Sequence, residues 1–455
     1  MAGIGFELRK LLRRDSYTGL LQAYGFAGII SSGPWILSIL GVMLVGIISI
    51  GRVYPEELII QFLVSVTYLM AASLIFTGFL QLMFTRYVAD RLFEKKGDII
   101  LPNLIGALTL ITFVGGLSGL FVLFVFFDQN IKYRLLMLSS FIVLNNIWIV
   151  VVFLSGMKAY RLILSVFFIG YSTTVIASIA LEIFGLNGLL AGFLIGQTIL
   201  LFLMLSMVIY EYPGKQLISF DFLNKKQIFI SLALTGFFYN FAIWIDKFIF
   251  WFNPVTSEQI IGPLRASVIY DIPIFLAYLS IIPGMSVFLV RMETDFAEAY
   301  NNFYTSVREG DTLEHIEQLK DEMVKTIRMG IYEIFKVQGL TVVLLYLLGS
   351  KILEWIGISP LYIHLFQIDI MAVGVQVLLL AILNVLFYLD FLIMALSLCF
   401  LFTVCNAVFT FITLELGPQF YGYGFAIAVV LTSLIGLGFL SKKLDRLEYE
   451  TFMLQ

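Results

Sequence analysis

The chain has 455 residues, of which 60% are hydrophobic and 13% are charged, with a formal net charge of −3 at pH 7. Soluble domains are about half apolar and carry roughly 25% charged residues, so this composition excludes an ordinary soluble protein. Nearly all the charges lie between long apolar stretches. This layout indicates a chain that crosses a membrane many times.

Twelve apolar stretches follow one another along the chain, and each is long enough to span a bilayer, which takes about 20 helical residues. Each stretch is continuous, whereas the strands of a membrane barrel alternate in short segments. The pattern therefore predicts an all-α integral membrane protein with twelve transmembrane helices. We place the spans at residues 19–50, 59–85, 100–127, 135–155, 162–184, 187–210, 228–252, 272–290, 329–349, 365–387, 391–414 and 423–441.

Lys and Arg are distributed unevenly between the two sides of the predicted membrane. With the N-terminus in the cytoplasm, the inner segments hold 21 of these residues and the outer loops hold 5. Cytoplasmic loops of membrane proteins carry such an excess, so both termini are predicted to be cytoplasmic. The basic residues therefore face the inner side of the membrane. We expect membrane lipid to be a partner of this protein and expect no nucleic acid.

The first 18 residues form a basic, amphipathic segment ahead of the first span. Phe6, Leu8 and Leu11 can share an apolar side, while Arg9 and its basic neighbours face lipid phosphates. Such a helix lies on the inner leaflet. It serves either as a topology anchor or in an active role.

The first span contains a small-residue stretch that ends in a proline. Pro34 has no N–H with which to bond the carbonyl of Ile30, so the helix is expected to kink or open there. Broken membrane helices are tolerated where they face protein or a watery cavity. Ser31, Ser32 and Pro34 are therefore candidates for a translocation path, although a kink without a function is an equal alternative.

A faint repeat relates the two halves of the chain. The second span ends in Arg86 and Asp90, and the eighth span ends in Arg291 and Asp295. The i,i+4 spacing places each pair on one helix face, and we interpret the pairs as a candidate cytoplasmic border or gate. Two related halves around a central path are a common transporter plan.

The repeat, together with the twelve spans, predicts two halves of six spans each. The predicted parts are a cytoplasmic N-terminal segment 1–18, a first half 19–210, a cytoplasmic connector 211–227, a second half 228–441 and a cytoplasmic tail 442–455.

The largest polar insert, residues 291–328, lies between the eighth and ninth spans. Apolar residues recur in it at helical spacing on both sides of a predicted turn at residues 308–311, and acidic residues dominate its surface. It is either a solvated hairpin that extends the two spans or a docking platform for a cytosolic partner.

The sequence holds no recognisable catalytic, metal-binding or cofactor-binding motif. There are two histidines and two cysteines, and no phosphate-binding Gly-Lys-Ser/Thr loop or nucleophile elbow is present. We predict no enzymatic activity and no cofactor. Cys399 and Cys405 lie in the eleventh span and are interpreted as small buried hydrophobic residues.

Charges inside the spans are functional candidates by default. Asp246 and Lys247 are adjacent in the seventh span, and adjacent helical residues point about 100° apart, so each is expected to find a partner elsewhere. Glu333 and Lys336 are spaced to pair on one face of the ninth span. Asp369 is expected near the membrane interface. The full set of candidate path residues is Ser31, Ser32, Pro34, Tyr239, Asn240, Asp246, Lys247, Glu333 and Lys336.

Several short segments resemble one bacterial family. Residues 3–9, residues 22–24, the Ser31–Trp35 stretch and the Tyr239–Lys247 stretch are similar to the PelG family, the inner-membrane transporters of Pel exopolysaccharide systems, which are related to the multidrug/oligosaccharidyl-lipid/polysaccharide flippases. The length and the twelve spans match throughout.

The resemblance implies two six-helix bundles around a central cavity, a bacterial inner-membrane location and export of an N-acetylhexosamine-rich polymer. It also implies a cytosolic glycosyltransferase and other inner-membrane Pel subunits as partners. Two alternatives stay open: a membrane scaffold that activates the polymerase, and a flippase for drugs or lipid-linked sugars. A continuous polar cavity would favour transport, and a fully packed interior would favour the scaffold.

Overall fold

The computed structural model describes residues 17–154, 160–214, 216–224 and 228–447, and the side chains of parts of the first helix are not among them. The predictions for the basic N-terminal segment, for Lys225 and Lys226 of the connector and for the last residues of the tail therefore fall outside this part of the chain.

Seven long helices come first among the described residues. They are α1 (Tyr17–Ser49), α2 (Glu57–Phe93), α3 (Ile100–Phe126), α4 (Ile131–Leu154), α5 (Tyr160–Ala180), α6 (Leu186–Glu211) and α7 (Ile230–Phe252). A short antiparallel hairpin follows, with β1 (Glu258–Ile261) paired to β2 (Leu264–Ala266). Helix α1 is helical through Pro34, so of the two predicted outcomes the helix does not open at this proline, and a kink there stays a prediction.

The remaining helices are α8 (Val268–Leu279), α9 (Ile281–Val290), α10 (Ala297–Glu309), α11 (Leu313–Ile356), α12 (Ile363–Tyr388), α13 (Leu392–Leu416) and α14 (Tyr423–Leu444). A six-residue π-helical segment, Arg291–Phe296, joins α9 to α10. Gly310, with φ of +74°, closes α10 in the left-handed conformation that glycine adopts without strain. This turn confirms the one predicted at residues 308–311.

The all-α membrane class is confirmed. Within the described part of the chain, eleven helical segments are long and apolar enough to cross a membrane, and α1 adds the apolar stretch Leu37–Ser49. The predicted twelve spans correspond to these eleven segments and α1. Cys399 and Cys405 are buried and free, as predicted.

The described residues form two compact units. The N-terminal unit comprises residues 33–244 and 251–267, and the C-terminal unit comprises the described residues of 1–32 together with 245–250 and 268–455.

In the N-terminal unit, α2 and α7 cross at two glycines. A Cβ atom on Gly78 would lie 2.8 Å from the carbonyl oxygen of Gly236, and one on Gly236 would overlap the Gly78 carbonyl. Beside this crossing, the rings of Phe79 and Phe237 stack with centroids 4.3 Å apart. Small residues allow membrane helices to approach this closely, and van der Waals contact then holds them together.

The hairpin predicted at residues 291–328 consists of extensions of two spans. Helix α10 continues from the eighth span through the π segment, and α11 is continuous from Leu313 to Ile356. Phe303, Ile316, Met323 and Ile327 are buried along this extension. Its apolar stripe therefore holds the two helices against each other.

Candidate functional site

Asp246 and Lys247 lie in α7 and belong to the C-terminal unit, where their side chains are 0% and 1% exposed. The Lys247 Nζ donates to Asp246 Oδ2 at 3.0 Å and to Oδ1 at 3.3 Å. The prediction that these neighbours do not pair is therefore wrong. Their Cα–Cβ bonds do diverge, but the four-carbon stem of lysine is flexible enough to bring the ammonium back to the adjacent carboxylate.

Other helices also supply partners for Asp246, as predicted. The Tyr270 hydroxyl of α8 donates to Asp246 Oδ2 at 2.7 Å. The Asn406 amide of α13 donates to Asp246 Oδ1 at the longer distance of 3.5 Å. Thr410 in turn donates to Asn406 Oδ1 at 3.0 Å. Three helices thus converge on one buried carboxylate, which satisfies the rule that a buried charge needs hydrogen bonds as well as a counter-ion.

Aromatic rings surround the Lys247 ammonium. Its Nζ lies 5.1 Å from the ring centroid of Tyr278 and 5.6 Å from that of Phe425. Ring faces carry partial negative charge and attract cations, more strongly where water is excluded. These contacts help to hold a lysine inside the unit instead of letting it extend to the membrane surface.

Asp369 of α12 lies in the same buried region. Its side chain is 0% exposed, and neither carboxyl oxygen has a hydrogen-bond partner among the residues that the structure describes. Asp369 is therefore enclosed by protein, and its position near the membrane interface stays a prediction. A carboxyl group in such surroundings costs much less when it is neutral than when it is ionised.

The position of α12 explains this burial. Helix α12 packs against α8, α11 and α14. In its apolar 18-residue stretch 61% is buried inside the protein, the highest share among the described spans. A polar residue on such a central helix faces protein on most sides. We call Asp246, Lys247, Tyr270, Asp369 and Asn406 the charged core.

A second charged network lies where α9 passes into the π segment. Arg291 donates from Nη2 to Glu333 Oε1 at 3.0 Å, from Nε to Glu333 Oε2 and from Nη1 to Asp295 Oδ2. The same-face pair Arg291–Asp295 therefore forms. The predicted Glu333–Lys336 pair is wrong, because the bidentate guanidinium occupies Glu333, and the Lys336 ammonium instead lies 4.8 Å from the ring centroid of Tyr332.

The corresponding pair in the N-terminal unit also forms. Arg86 Nε lies 3.0 Å from Asp90 Oδ1, and both side chains are about one-third exposed, at 33% and 34%. Beyond the end of α2, Lys96 bonds Glu94, and this hydrogen bond lowers the pKa of the Glu94 carboxyl group. Partly exposed ion pairs such as these contribute little to stability, and the role of Arg86 and Asp90 at a cytoplasmic border or gate stays a prediction.

The Arg291 network opens into a cavity of about 520 Å³ in the C-terminal unit. The cavity lies between the start of α10 and the facing part of α11. Its polar lining is mostly acidic and consists of Arg291, Asp295, Glu298, Asn302, Glu322, Thr326 and Glu333.

The other predicted path residues are on α1 and α7. Ser31, Ser32 and Pro34 lie within α1, but their side chains fall outside the described part of the chain. Tyr239 and Asn240 are half-buried on α7 in the N-terminal unit. The Asn240 amide donates to the carbonyl of Gly236 at 3.0 Å, beside the α2–α7 crossing. The charged core and Asn240 therefore belong to separate units.

Three members of the charged core were not among the predicted site residues. Tyr270 and Asn406 carry no signal in the sequence, since tyrosines and amides are frequent in all spans. Asp369 does carry a signal, because six residues of α12 precede it and a carboxyl group on a membrane helix is rare. Among the described residues, no group of three or more His, Cys, Asp or Glu side chains is arranged to hold a metal ion.

Comparisons with solved structures identify the fold. An outward-facing multidrug resistance MATE family transporter of the MOP superfamily aligns with 13% identity and a TM-score of 0.63, over 93% of this chain and 96% of that chain. A MOP superfamily transporter from Pyrococcus furiosus aligns with 13% identity and a TM-score of 0.64 over the same shares. A MATE protein in the straight conformation aligns with 12% identity and a TM-score of 0.64, over 98% of both chains.

These similarities show a MATE-like fold with two helical bundles, which confirms the predicted fold class. None of the curated proteins compared with the chain matches it. The model of the PelG exopolysaccharide exporter (EPS-E) family matches residues 1–452, and this chain is therefore a multi-pass membrane transporter that belongs to the PelG exopolysaccharide exporter family.

Proposed function

We propose that this protein moves a nascent N-acetylhexosamine-rich exopolysaccharide from the cytoplasm to the periplasm through a central polar cavity. The family match over residues 1–452 carries the proposal, and the MATE-like fold is consistent with it. The protein then lies in the bacterial inner membrane with both termini in the cytoplasm, as the distribution of Lys and Arg predicts.

Within this proposal, the charged core biases gating and does not line an open route. Asp246 and Lys247 are buried in the present conformation, so a passing sugar cannot touch them. A buried pair with hydrogen bonds from two further helices holds those helices in one arrangement, and a change in its bonding would favour another. The residues that remain as candidates to line the translocation path are Ser31, Ser32, Tyr239 and Asn240.

Thiol labelling tests this path. Single cysteines at Ser31, Ser32 and Asn240, in a chain whose two native cysteines are replaced by alanine, are expected to react with a water-soluble thiol reagent. Polymer synthesis in the same cells is expected to slow the reaction, since the polymer would occupy the cavity. Ala242→Cys is a matched control on α7, because Ala242 is fully buried.

Labelling would contradict the path if all three test positions stayed as unreactive as Ala242→Cys in every working state. The transport function itself is tested separately. Cells that lack their own exporter should secrete polymer when they receive this chain, and failure to restore secretion by a normally inserted protein would contradict the function.

A second candidate function is a membrane scaffold that recruits and activates the cytosolic glycosyltransferase. The extension formed by α10 and α11 favours it, because this extension carries an acidic surface beyond the spans. Glu309, Asp311, Glu314 and Glu317 are exposed there, and such a surface suits a basic partner. Transport and scaffolding are compatible functions of one protein.

Shortening the tip at Glu309, Gly310 and Asp311 is expected to weaken co-purification of the glycosyltransferase several-fold while membrane insertion stays normal. The tip is held locally by the Ser306 hydroxyl, which donates to Asp311 at 2.6 Å, so its loss leaves the long helices in place. The measurement is partner recovered per molecule of this chain. A control shortens the loop at residues 127–130, between α3 and α4. Unchanged recovery with the tip variant would favour a merely solvated extension.

A further inference from the structure

Helix α11 is the least covered of the described spans. Only 11% of its apolar 18-residue stretch is buried inside the protein, whereas the corresponding shares of the other described spans range from 22% to 61%. Tyr332, Phe335, Leu340 and Val343 are among its exposed apolar and aromatic side chains. This helix therefore presents a wide face to its surroundings.

Basic residues occupy the cytoplasmic end of this face. Lys325, Arg328, Tyr332 and Lys336 are all exposed, and their spacings of three and four residues place them on one side of the helix. Glu333 lies three residues before Lys336, but its carboxylate is bound by Arg291. Within the described part of the chain, the ion pairs of α11 involve Glu333, His315 and Lys320, so the three cations of this face have no carboxylate partner there.

Two of these cations flank Tyr332 along the helix. The Lys336 ammonium lies 4.8 Å from the Tyr332 ring centroid, so the lysine reaches back toward the cytoplasmic end of the helix. Arg328 lies one turn before Tyr332 on the same side of the helix. Exposed basic side chains at this spacing suit a phosphate group.

The depth of these basic residues matches the predicted membrane border. Glu333 is bound to Arg291, which ends the predicted eighth span, and Lys336 is about 4.5 Å farther into the membrane, by the rise of a helix. Beyond Lys336 the face is apolar. Open space surrounds the position of a Cβ on Gly339, and the exposed side chains of Val343 and Leu347 follow on the same side of the helix.

We propose that this face of α11 binds an anionic phospholipid of the inner leaflet. Arg328 and Lys336 hold the phosphate at the level of Tyr332, and an acyl chain lies along Gly339 and Val343. Charge complementarity selects the lipid, because basic residues next to a membrane span attract anionic headgroups, and the apolar continuation suits its tail. The inference does not depend on the exported substrate.

Native mass spectrometry of the purified full-length protein tests the proposal, with phosphatidylglycerol and phosphatidylcholine as the two probes. Wild type is expected to retain phosphatidylglycerol preferentially. Arg328→Gln combined with Lys336→Gln is expected to weaken its binding by about 25-fold, since each basic residue contributes about a factor of five. Lys351→Gln is the matched control, since Lys351 is exposed at the opposite end of α11.

Both variants replace exposed side chains, so unchanged elution from a sizing column is expected and confirms folding. Equal phosphatidylglycerol binding by wild type and the double variant would overturn the proposal, as would equal retention of the two lipids by wild type. If the double variant bound the lipid normally but lost a co-purifying membrane protein, the face would be a protein interface and the lipid proposal would also fail.

Discussion

Replacing Lys247 with Met is expected to destabilise the folded protein by roughly 3–5 kcal/mol, the usual cost of breaking a buried ion pair. Lys247 is buried and bonds both oxygens of Asp246. Its loss leaves that carboxylate beside Asp369, without a cation bonded to it. The measurement is the thermal transition of the protein in detergent, together with the amount inserted in the membrane.

The double variant Asp246→Asn with Lys247→Met is expected to recover most of this loss, because removing both charges removes the desolvation cost of each. Asp369→Asn is expected to be nearly neutral, since an amide replaces a carboxyl group that makes no hydrogen bond in the described structure. An unchanged transition for Lys247→Met would contradict the assigned role of this pair.

The milder changes Asp246→Asn and Lys247→Gln separate stability from export. If the charged core biases gating, secreted polymer per inserted molecule falls while assembly persists. If the pair only anchors α7, abundance changes mildly and export per molecule stays normal. Normal export at normal abundance in both variants would remove these residues from the proposed mechanism.

Gly236→Leu is expected to produce the second large effect, a loss of about 1–3 kcal/mol from overpacking. A side chain there would overlap the Gly78 carbonyl, forcing α2 and α7 apart and breaking the stack of Phe79 on Phe237. Gly236→Ala is expected to cost less. The same thermal measurement applies to both.

Gly438→Leu is the matched control, because nothing lies within 4 Å of a Cβ at Gly438 on α14. We expect this variant to insert and melt like wild type. A Gly236→Leu protein that behaved like the control would show that the crossing adjusts without cost, contrary to the close packing described for α2 and α7.

The spans were predictable because bilayer thickness fixes the length of an apolar helix. The third span was placed at 100–127, and α3 is Ile100–Phe126. The cytoplasmic ends were not predictable in the same way. Helix α2 continues to Phe93 and α11 begins at Leu313, well beyond the predicted spans, because hydropathy marks where the membrane ends and not where the helix ends.

The charged core was predictable in part. Asp246 and Lys247 stood out because charges inside spans are rare. The hydrogen bond between them was not predictable from helical geometry. The angle between neighbouring residues fixes only the directions of the Cβ atoms, whereas the lysine ammonium can lie several ångströms from its own Cβ. The convergence of Tyr270 and Asn406 on Asp246 depends on how distant helices pack, which a single sequence does not reveal.

The π-helical segment at residues 291–296 sets the rotational phase of the cytoplasmic extension. A π turn accommodates one residue more than an α-helical turn, so it acts as a one-residue insertion between the membrane part of the eighth span and α10. Removing one residue there would turn α10 by about 100° about its axis. Phe303 would then leave its buried position against α11, and a polar neighbour would take its place. The π segment therefore lets the span and the extension bury different sides of one continuous helix.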